Sequence, residues 1–340
     1  MAGADDAHSL QKLPDRAGRL LSRAQAQHVL GGQGNVWTEY MATTDYVEYM
    51  ILPRMLALSE VVWSPREVRD WQSFLLRLPA HLSHLDRTGI NYRIPDVFGL
   101  EGDRLTLADT VVVNLTAPVA GGVIRYTLDG TEPGPGSHLY GGPFSLLLTE
   151  AGTRVAARVI LRDGRAGAVR EARFRKATLN RATPLPRRGR AQGLAGVLLR
   201  GDFPSVDSLP TTTAPDAPAG LAVVTPRVTL PTGIPRGSFG LISRGFVRLP
   251  RKGIYTFFLT SDDGSRLRID GETVVDHDGY HSASEKRGQA ALHRGWHPLE
   301  VLYFQGGGGA TVKLEVEGPD LSRREVPATW LAHSPDSGSP

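Results

Sequence analysis

The sequence predicts a multidomain, mainly β chain: a short β/α segment, then a small β-sandwich, then a second β-barrel or sandwich module. The chain has 340 residues, which is room for two or three domains. Its 39 glycines and 24 prolines favour turn-rich β structure. Apolar residues follow a helical period only up to about residue 95 and then alternate in short runs.

The composition excludes several classes of protein. The chain contains no cysteine, so it has no disulfide, no cysteine nucleophile and no thiolate metal site. It also lacks an apolar run of about 18 residues, so we expect no membrane span. The first 15 residues include acidic side chains and no apolar stretch, so we expect no signal peptide in this chain.

The first segment that carries structure is predicted over residues 28–95, after a polar N-terminus, 1–27, that we expect to be poorly structured. A glycine-broken run at 28–40 has the character of a strand, on which Trp37 and Glu39 would share one face. An indole offers an apolar plane to the C–H face of a sugar, and a carboxylate accepts bonds from its hydroxyls. Taken alone, such a pair is more often one core and one surface residue.

Two helices are predicted after this run. Asp45 and Glu48 have the spacing of a capping box before a buried helix that Pro53 disturbs. The sequence Ser-Pro-Arg-Glu at 64–67 is a second start signal, for a helix that ends before Gly89. A strand followed by a helix is the repeating unit of a (β/α)₈ barrel, so this segment is predicted to be the remnant of one.

The helical period then gives way to strands, predicted at 105–115, 123–128, 144–148 and 153–161. They predict a sandwich over 96–176, followed by an Arg/Pro linker over 177–192. The net charge is +5 over 96–192, 0 over 1–95 and −1 over 193–340, so the basic excess lies in the middle. A nucleic-acid patch is one reading of these arginines. A solvated linker is favoured because few aromatic residues interleave with them, and no nucleic-acid partner is expected.

The remainder, 193–333, is predicted to be a second β domain, followed by a disordered tail at 334–340. Strands are expected at 245–249, 254–260, 266–269, 273–276, 289–292, 297–303 and 310–316. Five aspartates fall within 17 residues of this domain: Asp262, Asp263, Asp270, Asp276 and Asp278. Adjacent carboxylates in a loop could hold a hard cation such as calcium, but Asp-Gly pairs also form turns, and turns are favoured.

The motif order in the first segment carries a resemblance. Gly31-Gly-Gln33, Trp37-Thr-Glu39-Tyr40, Ala57-Leu-Ser-Glu60, Trp63-Ser-Pro65 and Asn91-Tyr92-Arg93 resemble the end of the catalytic barrel of glycoside hydrolase family 20, the β-N-acetylhexosaminidases. The resemblance implies that Trp37 packs under an N-acetylglucosamine ring and that Glu39 bonds its outer hydroxyls. It also implies N-acetylglucosamine-containing oligosaccharides or glycans as partners, and an extracellular or periplasmic location.

The chemistry of this family is substrate-assisted and retaining: a Glu acts as general acid while the neighbouring Asp orients the acetamido group that attacks. The chain contains no Asp-Glu dipeptide. A complete barrel needs about 250 residues, and fewer than 100 are assigned to it here. No catalytic residue is therefore carried over, and no cofactor is required for hydrolysis. The expected partner is a chain that carries the missing barrel.

Two further resemblances cover the β domains. Ile124-Arg-Tyr-Thr-Leu-Asp-Gly-Thr-Glu-Pro133 resembles the C-terminal β-sandwich of chitobiases and hexosaminidases. Ile254-Tyr-Thr-Phe-Phe-Leu-Thr-Ser-Asp-Asp-Gly264 and Asp278-Gly-Tyr-His281 resemble the protective-antigen (anthrax-toxin-like) module. Some members of that family bind sugar through calcium held by the adjacent aspartates, here Asp262 and Asp263, and others have no such site.

The sequence thus predicts the C-terminal fragment of a β-N-acetylhexosaminidase, inactive by itself. Two alternatives stay open. The chain could be a stand-alone carbohydrate-binding protein that acts through Asp262 and Asp263, with or without calcium, or a purely structural accessory region.

Overall fold

The computed structural model describes residues 22–119, 121–149, 151–184, 190–210, 220–234 and 237–334. Most of the predicted N-terminus (1–27) and tail (334–340) therefore lies outside the described residues. The chain divides into two compact units. The first consists of residues 1–102, 110–147 and 152–174, and the second of residues 103–109, 148–151 and 175–340.

The α-helices of the described residues lie in the first unit, and the strands follow them along the chain. The α-helices are Arg23–Ala26, Thr44–Ile51, Arg54–Trp63 and Trp71–Thr88, and short 3-10 helices occur at Thr38–Tyr40, Arg66–Val68, Val206–Ser208 and Ala328–Trp330. The strands are β1 (Arg104–Thr106), β2 (Thr110–Val113), β3 (Gly122–Thr127), β4 (His138–Leu139), β5 (Phe144–Leu147), β6 (Thr153–Leu161), β7 (Arg170–Lys176), β8 (Ala191–Gln192), β9 (Leu194–Arg200), β10 (Leu221–Thr225), β11 (Phe239–Leu249), β12 (Gly253–Asp262), β13 (Ser265–Ile269), β14 (Glu272–His277), β15 (Ser284–Leu292), β16 (Gly295–Gln305), β17 (Thr311–Gly318), β18 (Leu321–Glu325) and β19 (Leu331–His333).

The strand predicted at 28–40 is wrong. The chain there is irregular up to Trp37 and then forms the 3-10 helix Thr38–Tyr40. A strand needs a neighbouring strand for its backbone N–H and C=O groups. The first strand of the described residues begins only at Arg104, so this run has no strand of its own segment to pair with.

Both predicted helix starts are displaced. Thr43, not Asp45, caps the helix Thr44–Ile51, and its hydroxyl accepts the N–H of Tyr46 at 3.2 Å. Asp70, not Ser64, caps the long helix, because its Oδ1 accepts the N–H of Ser73 at 2.6 Å. The predicted end of that helix is confirmed at Gly89, whose φ of 70° is left-handed and suits glycine.

The long helix supplies the core of the helical part. Its residues Phe74, Leu78, Leu82 and Leu85 are buried and recur every three or four positions, as expected of one helix face. The preceding helix Arg54–Trp63 is different, because only Ala57 of its residues is buried. The prediction of a buried helix is therefore wrong for this part of the chain. Met55, Val62 and Trp63 of this helix are exposed.

The sandwich of the first unit is antiparallel. Strands β7, β6, β3 and β4 are neighbours in that order, and β2 pairs with β5. Its buried side chains come from both groups of strands: Val113, Leu146, Val155, Ala157, Val159, Ala172 and Phe174. Some arginines of the basic middle segment belong to strand β7, in which Arg170–Phe174 pair with β6.

The second unit holds two larger antiparallel sheets. One has the order β10-β9-β11-β16-β13-β14, with β19 on β11, and the other has the order β15-β12-β17-β18. Both sheets contribute to one core, with Tyr255, Phe257 and Leu259 from β12 and Val301 and Tyr303 from β16. The multidomain, mainly β fold class is thus confirmed. In the part of the chain that the structure describes, no helix is long and apolar enough to cross a membrane.

Candidate functional site

The predicted sugar-binding pair lies on a turn at the surface of the first unit. Trp37 is 72% exposed and precedes the 3-10 helix that contains Glu39, which is also exposed. The neighbouring Tyr40 is 82% exposed. The two predicted residues are therefore close in the chain and accessible to solvent, but they do not share the face of a strand. Their role in binding stays a prediction.

A carboxylate that sequence reasoning did not assign to the site, Glu60, lies on the helix Arg54–Trp63. Both oxygens of Glu60 accept hydrogen bonds from Arg77 of the long helix, at 3.1 and 2.7 Å. The bond from Arg77 holds the pKa of Glu60 below its ordinary value. A carboxylate fixed in this way joins two helices and is a poor general acid, because the general acid must carry a proton.

The two residues of the second predicted pair, Asp262 and Asp263, lie in different environments. Asp263 is only 7% exposed, and its Oδ1 accepts the backbone N–H of His281 at 3.0 Å. Its Oδ2 accepts the backbone N–H of Gly306 at 2.9 Å. The Asp263 carboxylate thus joins two loops, the turn 278–283 and the glycine loop 306–309. A charged side chain becomes buried at low cost only when such bonds satisfy it.

Asp262 ends strand β12 and is half-buried, and the peptide bond between Asp262 and Asp263 is cis. Its Oδ2 lies 3.2 Å from the position that a Cβ of Gly309 would occupy, so the carboxylate lies against the glycine loop. Its backbone carbonyl accepts the hydroxyl of Tyr303. Burial raises the pKa of this tyrosine above its ordinary value.

The structure adds Tyr280, which sequence reasoning quoted within a motif but did not assign to the site. Its side chain is 62% exposed, and its ring meets that of Phe304 edge to face, with centroids 5.3 Å apart. The ring also lies against Gly306, where a Cβ would be 2.3 Å from Cε1. An aromatic residue directly before a histidine carries no sequence signal of its own; only the packing shows that its ring lies beside Asp263.

The other three aspartates of the predicted cluster do not join this site. Asp270 bonds His297 at 2.9 Å, Asp276 bonds Arg266 at 3.1 Å, and Asp278 accepts the N–H of Val206 at 2.9 Å. Asp276 and Asp278 also share Arg266 as an ion-pair partner, whereas Asp270 bonds His297 elsewhere in the domain.

The donor set near Asp262 does not by itself fit calcium, which takes six to eight oxygen ligands. Among the described residues, no three His, Cys, Asp or Glu side chains gather to hold a metal ion. The oxygens of Asp263 already accept backbone N–H bonds, which leaves Asp262 as the more open carboxylate. Calcium at this pair stays a prediction.

Three segments match known family models. Residues 2–66 match the glycosyl hydrolase family 20 catalytic domain. Residues 103–170 match the chitobiase/β-hexosaminidase C-terminal domain, and residues 228–330 match the PA14 domain. The more specific protective-antigen resemblance stays a prediction, as do the domain limits.

The chain is similar to bacterial proteins of the same kind. It is 28% identical over 293 residues to a β-hexosaminidase of Porphyromonas gingivalis, an alignment that covers 83% of this chain and 36% of that protein. It is 33% identical over 73 residues to a β-N-acetylhexosaminidase of Cellulomonas fimi, which covers 22% of this chain and 15% of that protein. The chain therefore spans about a third or less of the length of these relatives.

Among solved structures, the PA14 domain of the antifreeze protein MpAFP aligns with 48% of this chain and 98% of its own, at 14% identity and a TM-score of 0.38. This likeness carries no argument about the chain. The recognition made from the sequence is confirmed by the family models and the bacterial relatives: the chain has segments similar to the catalytic and C-terminal domains of the β-hexosaminidases of glycosyl hydrolase family 20, followed by a segment that matches the PA14 domain.

Proposed function

We propose that this chain is the C-terminal part of a β-N-acetylhexosaminidase that releases terminal N-acetylhexosamine from oligosaccharides or glycans outside the cytoplasm. The observation that carries the proposal is the accessible turn Trp37–Tyr40, which lies within the segment that matches the catalytic domain. The sequence has no Asp-Glu dipeptide to serve as the catalytic pair. The chain alone is therefore inactive, and a chain that carries the rest of the barrel is its partner in hydrolysis.

The exposure of Trp37 supports a binding role. Burying a large apolar side chain is worth about 1.5–3 kcal/mol, which an indole that is 72% exposed largely forgoes. A sugar ring that stacks on the indole recovers part of this free energy through its C–H face. Glu39, two residues along, would accept hydrogen bonds from the hydroxyls of the same sugar.

Hydrolysis of 4-nitrophenyl N-acetyl-β-glucosaminide by the purified chain tests the claim that the chain alone is inactive. We expect no rate above that of buffer, and a measurable kcat that survives repurification would overturn the claim of inactivity.

Saturation-transfer NMR with N-acetylglucosamine tests the binding of a sugar at Trp37. We expect the signal to disappear in Trp37→Ala and to persist in the matched control Trp63→Ala, whose side chain is 86% exposed outside the turn.

A second candidate function, carbohydrate binding by the PA14 domain, is favoured by Tyr280. Its exposed ring lies beside the buried Asp263, which follows the half-buried Asp262 in the chain, so an apolar plane and a carboxylate occur together. The bonds from Asp263 to both loops hold this arrangement in place before a ligand arrives, and such preorganisation favours binding.

Calorimetry with a panel of N-acetylated and neutral sugars, with and without calcium, tests this candidate. We expect binding that Tyr280→Ala abolishes and Asp262→Asn weakens. The control Tyr46→Ala removes another exposed tyrosine, which lies outside both the PA14 domain and the turn Trp37–Tyr40, and should bind normally. No binding by the wild-type chain under either condition would leave the domain with a structural accessory role. Binding only with calcium would point to a cation held by Asp262.

A further inference from the structure

A pair of stacked histidines lies at the base of the turn 278–283, which we name the latch turn. His277, the last residue of β14, is 5% exposed, and its ring is parallel to that of His281 within 13°, at a centroid distance of 3.9 Å. Its Nε2 lies 3.2 Å from the carbonyl oxygen of Ser284, so the proton of the neutral ring belongs on Nε2. Its Nδ1 is buried and has no hydrogen-bond partner among the described residues.

His281 connects this pair of histidines to Asp263. Its backbone N–H donates to Asp263, and its ring Nε2 lies 3.2 Å from the carbonyl oxygen of His277. Tyr280, the preceding residue, packs its ring against Phe304. The position of the latch turn, with its contacts to Asp263 and Phe304, therefore depends on the stack.

The groups around His277 shift its pKa in opposite directions. Burial lowers the pKa of His277, and the neighbouring rings and cations, His281 and Lys286, lower it further. The Ser284 carbonyl and Asp276 oppose them and do not prevail.

The elements packed around the stack bring further charges close to it. On β13, Arg266 forms ion pairs with Asp207, Asp276 and Asp278. On β15, Glu285 bonds Arg323, and on β12 Asp262 ends its strand at the glycine loop. Asp207, Asp276 and Asp278 are thus already paired with Arg266, and none of them bonds Nδ1 of His277.

We propose that the latch turn is an acid-sensitive element, released when His277 takes a proton on Nδ1. The new N–H would be buried without an acceptor, against a second imidazole, and an unsatisfied buried donor is costly. Opening the turn lets water solvate it. Opening also breaks the bond from His281 to Asp263 and withdraws Tyr280 from Phe304. The inference stands on the stack and does not depend on sugar binding at Asp262.

The direction of the pH dependence follows from the protonation of His277 in the open and in the closed latch turn. The pKa of a solvated histidine is about 6.5, and that of His277 in the closed turn is lower. Between those values the open turn binds more protons, so closure weakens as the pH falls. Above pH 6.5 both forms are neutral, and the closed turn keeps its full stability.

Hydrogen exchange of the intact chain between pH 8 and pH 5, corrected for intrinsic rates, tests the proposal. We expect the protection of the latch turn to fall as the pH drops below about 6.5, by at most about tenfold per pH unit, while β12 and β16 stay protected. His277→Gln keeps a donor for Ser284 but cannot be charged, so its protection should not change with pH. The control His293→Gln lies outside the turn and should behave like the wild type.

Protection that is independent of pH in the wild type would overturn the proposal, and so would an unchanged pH dependence in His277→Gln. If that variant does not fold, NMR titration of the histidine ring protons in the wild type decides the question. A midpoint below 6.5 for His277, together with shifts of Tyr280, supports the latch, and a midpoint at or above 6.5 refutes it.

Discussion

The substitution Asp96→Asn is predicted to destabilise the first unit. Asp96 is 3% exposed, and its Oδ2 accepts a hydrogen bond from Arg170 of strand β7 at 2.6 Å. Arg93 donates to both of its oxygens at 3.3 Å. The carboxylate thus connects the chain after the long helix to the β-sandwich.

The magnitude follows from what the substitution leaves behind. Removing one partner of a fully buried ion pair costs about 3–5 kcal/mol, because the remaining charge stays buried. Here Arg170 and Arg93 are 43% and 24% exposed and can be solvated, which reduces the cost. We expect a loss of about 2–3 kcal/mol, since asparagine keeps the shape but not the charge.

Differential scanning calorimetry provides the assay. For a unit of this size, the expected loss lowers the transition of the first unit by roughly 5–10 °C and leaves that of the second unit in place. The control Asp86→Asn breaks an exposed ion pair with Arg165, in which the two side chains are 41% and 38% exposed, and should cost less than about 1 kcal/mol.

The pH dependence gives a second check on Asp96. Burial alone raises its pKa, but the positive groups around it, Arg170 and Arg93 among them, bring it below the ordinary value. The carboxylate therefore contributes stability that is present above about pH 4 and is lost as the pH falls below it. Asp96→Asn should lack this acid-dependent loss. A melting temperature that changes no more in Asp96→Asn than in Asp86→Asn would refute the reasoning.

Three further outcomes are expected. Leu78→Ala should lower the stability of the first unit by about 2–5 kcal/mol in thermal melts, because Leu78 is fully buried, whereas Leu76→Ala, at 83% exposure, should stay near wild type. Gly288→Ala should destabilise the second unit by more than about 1 kcal/mol in urea unfolding, since the new Cβ would lie 1.7 Å from the carbonyl oxygen of Val274. Trp37→Ala should change the melting temperature little, because the side chain is mostly exposed, and a large loss would show that the indole is part of a core.

Strand prediction succeeded where side chains alternate. In β17, Val312, Leu314 and Val316 alternate with polar residues and are buried, and the strands expected in the second unit are all present. Strand β9 was missed, because Leu194–Arg200 is a nearly continuous apolar run without alternation. Such a run lies between two neighbouring strands and has no polar face for a period of two to reveal.

The candidate sites were predicted less completely. Trp37, Glu39, Asp262 and Asp263 were found from motifs, and the structure adds that Trp37 is exposed and Asp263 buried. It also adds Tyr280, whose place depends on packing between loops that are far apart in the chain. A single sequence does not show which distant loops meet.

The sequence by itself determined the order of the domains, their mainly β character and their kinship with the β-hexosaminidases, because periodicity and motifs are local properties of the chain. Only the tertiary structure decided that the run before Tyr40 is not a strand and that Asp263 joins two loops. The tertiary structure alone also decided that Asp96 meets Arg170, 74 residues away. Each of these depends on contacts between backbone or charged groups that are far apart in the sequence. Only folding brings such groups together.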